Sequence, residues 1–304
     1  MIVVVCPGQG SQTPGFLAPW LDVPGLAERL ARFSDAAGLD LAAHGTVSDA
    51  DTIRDTKVAQ PLIVAAGLLT LYVLLQGRSN VIGGIAGHSV GELTAAAAAG
   101  ILSETDAMSL VAERGRAMAD AAALTPTGMS AVIGADESEL LAKLGELGLE
   151  PANFNGGGQV VVAGALDALE ALKNDPPSGA RVIPLQVAGA FHTRYMEPAV
   201  DRLRVAASAL VADDANMPIW TNHNGRQVSG GREYLDLLVG QVSSPVRWDK
   251  CMESFGEAGV TGIIEVAPAG ALVGLAKRAL KGVPTIAVKT PDDIHAAVEM
   301  MENS

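Results

Sequence analysis

The chain is 304 residues long, 49% apolar and 4% aromatic, with a formal net charge of −13. That length and apolar content support a sizeable core and argue against disorder, and the scarcity of aromatics leaves much of the packing to small residues. The acidic balance argues against general nucleic-acid binding, which needs basic patches to neutralise phosphates, but leaves room for a local one.

The first element is the apolar run Ile2–Cys6, read as a fully buried strand. It is too short for a secretion signal and lacks a basic start. A Gly-rich turn, Pro7-Gly8-Gln9-Gly10-Ser11-Gln12, follows. Helices are predicted over residues 25–37 and 59–76. The longest apolar stretch, residues 61–75, falls short of the roughly 20 residues that span a bilayer. It reads as a buried core helix, with no membrane span, in a cytoplasmic protein.

A short strand over 82–86 leads into Gly87-His88-Ser89-Val90-Gly91 and then an Ala-rich helix over 92–99. Ser103 and Asp106 are spaced as a capping box for a helix running to about residue 123. Residues 129–187 then read strand 129–134, helix 136–148, strands 152–155 and 159–163, helix 166–174 and strand 181–187. That βαββαβ order is the ferredoxin-like pattern. Helix 194–210, strand 218–222 and helices 231–242 and 249–258 come next. Strand 262–266, helix 270–280, strand 284–288 and helix 292–301 close the chain. The alternation predicts an α/β fold with a mostly parallel sheet. Its large catalytic part spans residues 1–126 and 189–304, with a small ferredoxin-like subdomain at 127–188.

Residues 87–91 fit G-x-S-x-G, in which a sharp strand-to-helix turn projects a serine hydroxyl out of the backbone. The strand before and the helix after it make Ser89 a candidate nucleophile, and the helix start aims backbone N–H groups at a developing oxyanion. Such a serine needs a base. His88 adjoins it and is expected to pack or hydrogen-bond under the loop. His44, His223 and His295 are expected to be solvated. His192, in Gly189-Ala190-Phe191-His192, follows a predicted strand, where sheet proteins place catalytic groups; the residues alone leave the choice of base open. Gly8-Gln9-Gly10 lacks the third glycine of a dinucleotide loop, at Thr13, and no Gly-Lys-Ser/Thr exists. The loop reads either as a plain turn or as a means of holding Gln9 beside the nucleophile. Cys6 and Cys251 read as buried thiols in a reducing cytosol. No metal-type Cys/His spacing occurs, and no metal site is expected.

Five motifs occur in order: Pro7-Gly8-Gln9-Gly10-Ser11-Gln12, Gly87-His88-Ser89-Val90-Gly91-Glu92, Arg114-Gly115-Arg116-Ala117-Met118, Gly189-Ala190-Phe191-His192 and Ser244-Pro245-Val246-Arg247-Trp248. Together they resemble malonyl-CoA:acyl carrier protein transacylases and the related acyltransferase domains of polyketide synthases. The resemblance implies a hydrolase-like core with a ferredoxin-like insert, Ser89 as nucleophile and His192 as base. It implies Gln9 and the Val90 backbone N–H as the oxyanion hole, Arg114 as the site for the malonyl carboxylate and Gln241 as the residue whose carbonyl orients the histidine. Phe191, before the histidine, points to malonyl rather than methylmalonyl. The implied reaction moves a malonyl group from malonyl-CoA through a seryl ester to the pantetheine thiol of acyl carrier protein, in fatty acid or polyketide synthesis, with no cofactor. The competing readings are a serine hydrolase or thioesterase, whose histidine would come late in the chain, a malonate decarboxylase acyltransferase subunit, and a non-catalytic binding module. The loading rate is expected to fall as pH drops through the ordinary imidazole pKa of about 6.5. The carrier, expected to be acidic, is expected to dock on a local basic patch drawn from Arg194 and Arg202 or from Lys277, Arg278 and Lys281.

Overall fold

The computed structural model describes residues 1–78 and 81–303. Its strands among these are β1 (Ile2–Cys6), β2 (Gly84–Gly87), β3 (Thr127–Ile133), β4 (Glu150–Gly156), β5 (Gln159–Ala165), β6 (Arg181–Pro184), β7 (Ile219–Trp220), β8 (Val246–Arg247), β9 (Gly262–Glu265) and β10 (Thr285–Ala287). One sheet has the order β10-β9-β1-β2-β7. All its pairings are parallel. A parallel sheet is covered on both faces, which is why β1 is an unbroken apolar run and wholly buried.

The second sheet has the order β6-β3-β5-β4-β8. The strands β3 to β6 pair antiparallel in the ferredoxin-like order, with helices Glu137–Leu147 and Leu166–Asn174 between them. The fifth strand, β8, comes from outside residues 127–188 and adds to β4 in parallel. It is the centre of the Ser244–Trp248 motif, and its two residues are too few to carry a periodic signal.

Helix Thr56–Leu74 is the described helix long and apolar enough to cross a membrane, and 83% of that window is buried inside the fold. It packs against helix Glu104–Leu124. A Cβ on Gly115 would lie 3.0 Å from the Thr56 carbonyl oxygen, so glycine at this position lets the two helices close and carries Arg114 inward. Ser103 caps the second helix by accepting the Asp106 N–H at 3.0 Å. The predicted reciprocal half of the box differs: the Asp106 carboxylate accepts the Ser103 hydroxyl at 2.7 Å, not the backbone N–H.

Two further differences matter near the site. β6 stops at Pro184, short of residue 187, and Leu185 and Val187 turn to line a cavity instead. Helices Leu41–Thr46 and Ala50–Arg54 lack an apolar period long enough to read; each is started by an aspartate, Asp40 or Asp49, accepting a backbone N–H.

Candidate active site

The loops after the neighbouring parallel strands β1 and β2 open at the carboxyl ends of the sheet, where such folds bind ligands. Ser89 follows β2 and precedes helix Gly91–Ala98. Among the described residues, Ser89 (φ 52°) and His192 (φ 62°) are the non-glycine residues with left-handed backbone. Strain of that kind persists only where the surroundings fix it. Here the flanking glycines and Asn222 do so. A Cβ on Gly87 would lie 2.0 Å from the Gly91 carbonyl carbon, and one on Gly91 would lie 2.1 Å from the Cys6 carbonyl oxygen. Asn222 Oδ1 accepts the Ser89 N–H at 2.7 Å while its Nδ2 donates to the Gly87 carbonyl at 2.7 Å.

Ser89 Oγ lies 2.7 Å from His192 Nε2, and His192 Nδ1 lies 2.8 Å from the backbone carbonyl of Gln241. A carbonyl only accepts, so Nδ1 carries the proton and Nε2 is left to accept from the serine. Burial, and then the nearby Arg114 charge, push the His192 pKa down to about 3. The imidazole is therefore neutral far below the ordinary value of about 6.5. Loading is therefore expected to titrate below the ordinary imidazole value.

Arg114 is 1% exposed. One guanidinium nitrogen donates to Gln60 Oε1 at 2.7 Å; the other donates to Gln241 Oε1 at 2.9 Å and lies 3.3 Å from Ser89 Oγ. Among the described residues its Nε has no hydrogen-bond partner. Burial lowers its pKa to about 10, with the Glu92 charge opposing, so it stays cationic at neutral pH. Glu92 is equally buried. Burial raises the pKa of its carboxyl, while the Asn222 N–H, the Arg114 charge, Thr221 and Gln241 hold it down and favour the ionised form. Arg116, by contrast, faces outward and pairs with Glu113.

These groups border a cavity of about 420 Å³ whose other wall includes Met129, Ala131 and Asn155 of the second sheet. Gln9, Val90 and Phe191 line it too. The Gln9 side chain donates to the Arg54 carbonyl at 3.1 Å. Its side-chain amide is thus engaged, and the available donor is its backbone N–H. Among the described residues neither that N–H nor the one on Val90 has an acceptor. His88 is half-buried, lies 3.0 Å from Asn155 Oδ1 and stacks edge-on with Trp248 at 5.6 Å, as expected of a residue under the loop. Burial lowers its pKa. His223 and His295 are exposed and His44 lies 3.0 Å from Ser48 Oγ, all away from Ser89. Cys6 and Cys251 are buried free thiols whose pKa values burial raises. Among the described residues no cluster of His, Cys, Asp and Glu is placed to hold a metal ion.

Sequence reasoning missed Asn222, Gln60 and the role of Glu92. Asn222 and Gln60 sit in no motif, and only the fold brings them to Ser89 and Arg114. Glu92 closes the serine motif, and its position on the buried Ala-rich helix was a readable signal that its carboxyl is enclosed.

Residues 3–295 match the family described as acyl transferase domain. The chain is 51% identical over 298 residues to the malonyl CoA-acyl carrier protein transacylase of Mycobacterium tuberculosis, covering 97% of this chain and 98% of that one. The crystal structure of MCAT from Mycobacterium tuberculosis superposes with a TM-score of 0.95 at 49% identity, covering 98% and 99% of the two chains. A malonyl-transacylase in complex with a type II polyketide synthase acyl-carrier protein superposes with a TM-score of 0.93 at 31% identity, covering 98% and 99%. With near-complete matches in both sequence and fold, the chain belongs to the acyl transferase family.

Proposed function

We propose that this chain transfers a malonyl group from malonyl-CoA to the phosphopantetheine thiol of acyl carrier protein, in fatty acid biosynthesis. The observation that carries the reading is a serine hydroxyl 2.7 Å from a neutral imidazole and 3.3 Å from a buried guanidinium, all in one cavity. The pair supplies a nucleophile and base, and the cation supplies a reason for an acyl group that ends in a carboxylate.

In this reading His192 Nε2 takes the Ser89 proton as Oγ attacks the thioester carbon. The backbone N–H groups of Gln9 and Val90 hold the oxyanion. The C–S bond breaks, the proton passes from His192 to the departing coenzyme A thiolate, and malonyl-Ser89 remains. The carrier's thiol then attacks the ester, giving its proton to His192, which returns it to Ser89 Oγ. Arg114 holds the malonyl carboxylate through both halves, and Phe191 shapes the space beside it. The proposed chemistry uses no cofactor, and the same reading puts the chain in the cytoplasm with its acyl donor. A late-chain histidine, which a hydrolase order would need, is not brought to Ser89.

Intact-mass analysis after mixing with malonyl-CoA, then with holo carrier protein, tests the reading. The adduct is expected to form and then to leave onto the carrier. Ser89→Ala is expected to abolish it and to cut turnover by on the order of 10⁶. A malonyl adduct surviving in Ser89→Ala, or release to water as fast as to the carrier, would overturn it.

A further inference from the structure

Behind Ser89 and Arg114 lies a carboxyl that the mechanism above does not use. Glu92 Oε1 accepts the Asn222 backbone N–H at 2.6 Å, and Oε2 is the nearest acceptor of Gln241 Nε2, at 2.5 Å, ahead of Asn222 Oδ1 at 3.2 Å and the Ser89 carbonyl at 3.3 Å. The other end of that same amide, Gln241 Oε1, accepts from Arg114 at 2.9 Å. A side-chain amide can sit either way round, and its two ends differ in hydrogen-bonding sense. With the carboxyl ionised, the form that the nearby Arg114 charge and the Asn222 and Gln241 donors favour, one end meets a group that accepts and the other a group that only donates, so a single orientation satisfies both.

We propose that Glu92 is a positioning residue for acyl selection: its carboxyl fixes the orientation of the Gln241 amide, and that amide fixes the Arg114 guanidinium for an anionic acyl group. This rests on the malonyl-transfer reading and adds to it the device that keeps the cation aimed. Reversing the amide would set its NH₂ against a guanidinium with no acceptor and turn Arg114 from its place beside Ser89. Glu92 itself touches neither substrate nor Ser89 Oγ, so its effect should appear in which acyl group is loaded, more than in whether Ser89 reacts.

The isostere Glu92→Gln separates these. Its amide offers one acceptor where the site presents two N–H donors, so it satisfies either Asn222 or Gln241 but not both. The kcat/KM for loading malonyl is expected to fall about tenfold or more relative to that for acetyl, the scale of a lost hydrogen bond to a charged group. Labelling of Ser89 by a small neutral fluorophosphonate reports an intact elbow in the same sample. Gln241→Met reads the link from the other end, removing the amide while leaving the backbone carbonyl under His192. It should lower the malonyl-to-acetyl ratio by a similar factor whatever the absolute rates. In the Gln241→Met background, Glu92→Gln should add little, because the two act as one unit. An unchanged ratio in either single variant, or fully additive losses in the pair, would overturn the proposal. Should Glu92→Gln not fold, an unchanged ratio in Gln241→Met overturns it alone. Failure of the wild type to form malonyl-Ser89 would instead overturn the malonyl-transfer reading, and this proposal with it.

Discussion

His192 donates its Nδ1 proton to the backbone carbonyl of Gln241 at 2.8 Å, where a serine hydrolase triad would place a carboxylate. A peptide dipole orients the ring and fixes its tautomer without adding a full negative charge. Burial, and then the Arg114 charge, lower the His192 pKa by more than this carbonyl raises it.

The first consequence is the pH profile of acyl loading. In the proposed mechanism His192 acts as base only when unprotonated, and its pKa is pushed down to about 3. As pH falls through about 6.5, the loading rate should hold, because Nε2 stays unprotonated there. Single-turnover loading measured across that range checks it; a loss centred near 6.5 would show an imidazole of ordinary basicity. His192→Ala should impair both half-reactions, while His295→Ala should impair neither.

Arg114→Ala should lower malonyl loading by about 10- to 150-fold, from about 1.5–3 kcal/mol for hydrogen bonds to a charge, and spare acetyl loading. Losing the cation also removes the second cause of the low His192 pKa, so any acid limb in the pH profile should move to higher pH. Arg116→Ala, whose side chain pairs with Glu113 on the surface, is the control. Equal loss for both acyl groups would make Arg114 structural only.

Gly91→Ala places a Cβ 2.1 Å from the Cys6 carbonyl oxygen. Neither backbone can yield without moving β1 or the serine turn. Urea unfolding should show a loss of about 1–3 kcal/mol or more, and fluorophosphonate labelling of Ser89 should slow. Gly274→Ala has nothing within 4 Å of the added carbon, on a helix. It should be neutral or stabilising by up to about 1 kcal/mol.

For the carrier, the two candidate basic patches differ in what already occupies them. Arg194 is paired with Glu150, and Arg202 with Glu113 and Asp120. Among the described residues Lys277, Arg278 and Lys281 have no carboxylate partner, and Arg278 lines the cavity. Lys277→Glu with Lys281→Glu should slow transfer to carrier protein several-fold at low salt, since rim charges act mainly on association rate. Transfer to free pantetheine should stay within about twofold of wild type. Equal loss for both acceptors would mean damage to the site or fold.

Much of this was legible because chemistry and local geometry coincide in short segments. The elbow Gly87–Gly91 declares itself through glycines that the close approaches demand, and β1 through an unbroken apolar run. The helix Leu166–Asn174 was read to its ends. What stayed hidden depends on residues far apart in the chain. Asn222 carries no signal of its own, yet it holds Ser89 by its backbone. β8 is too short for any period, yet it extends the second sheet. The His192 pKa could not be read because burial, not residue type, sets it.

The contacts that hold Ser89 span 103 residues to His192, 133 to Asn222 and 152 to Gln241. Each closes a long loop, and long-range closure is what makes a fold slow to complete. Elements can form locally while the serine remains an ordinary, unreactive hydroxyl. A chain in which these contacts are still open therefore lacks the arrangement that sets the Ser89 hydroxyl beside His192.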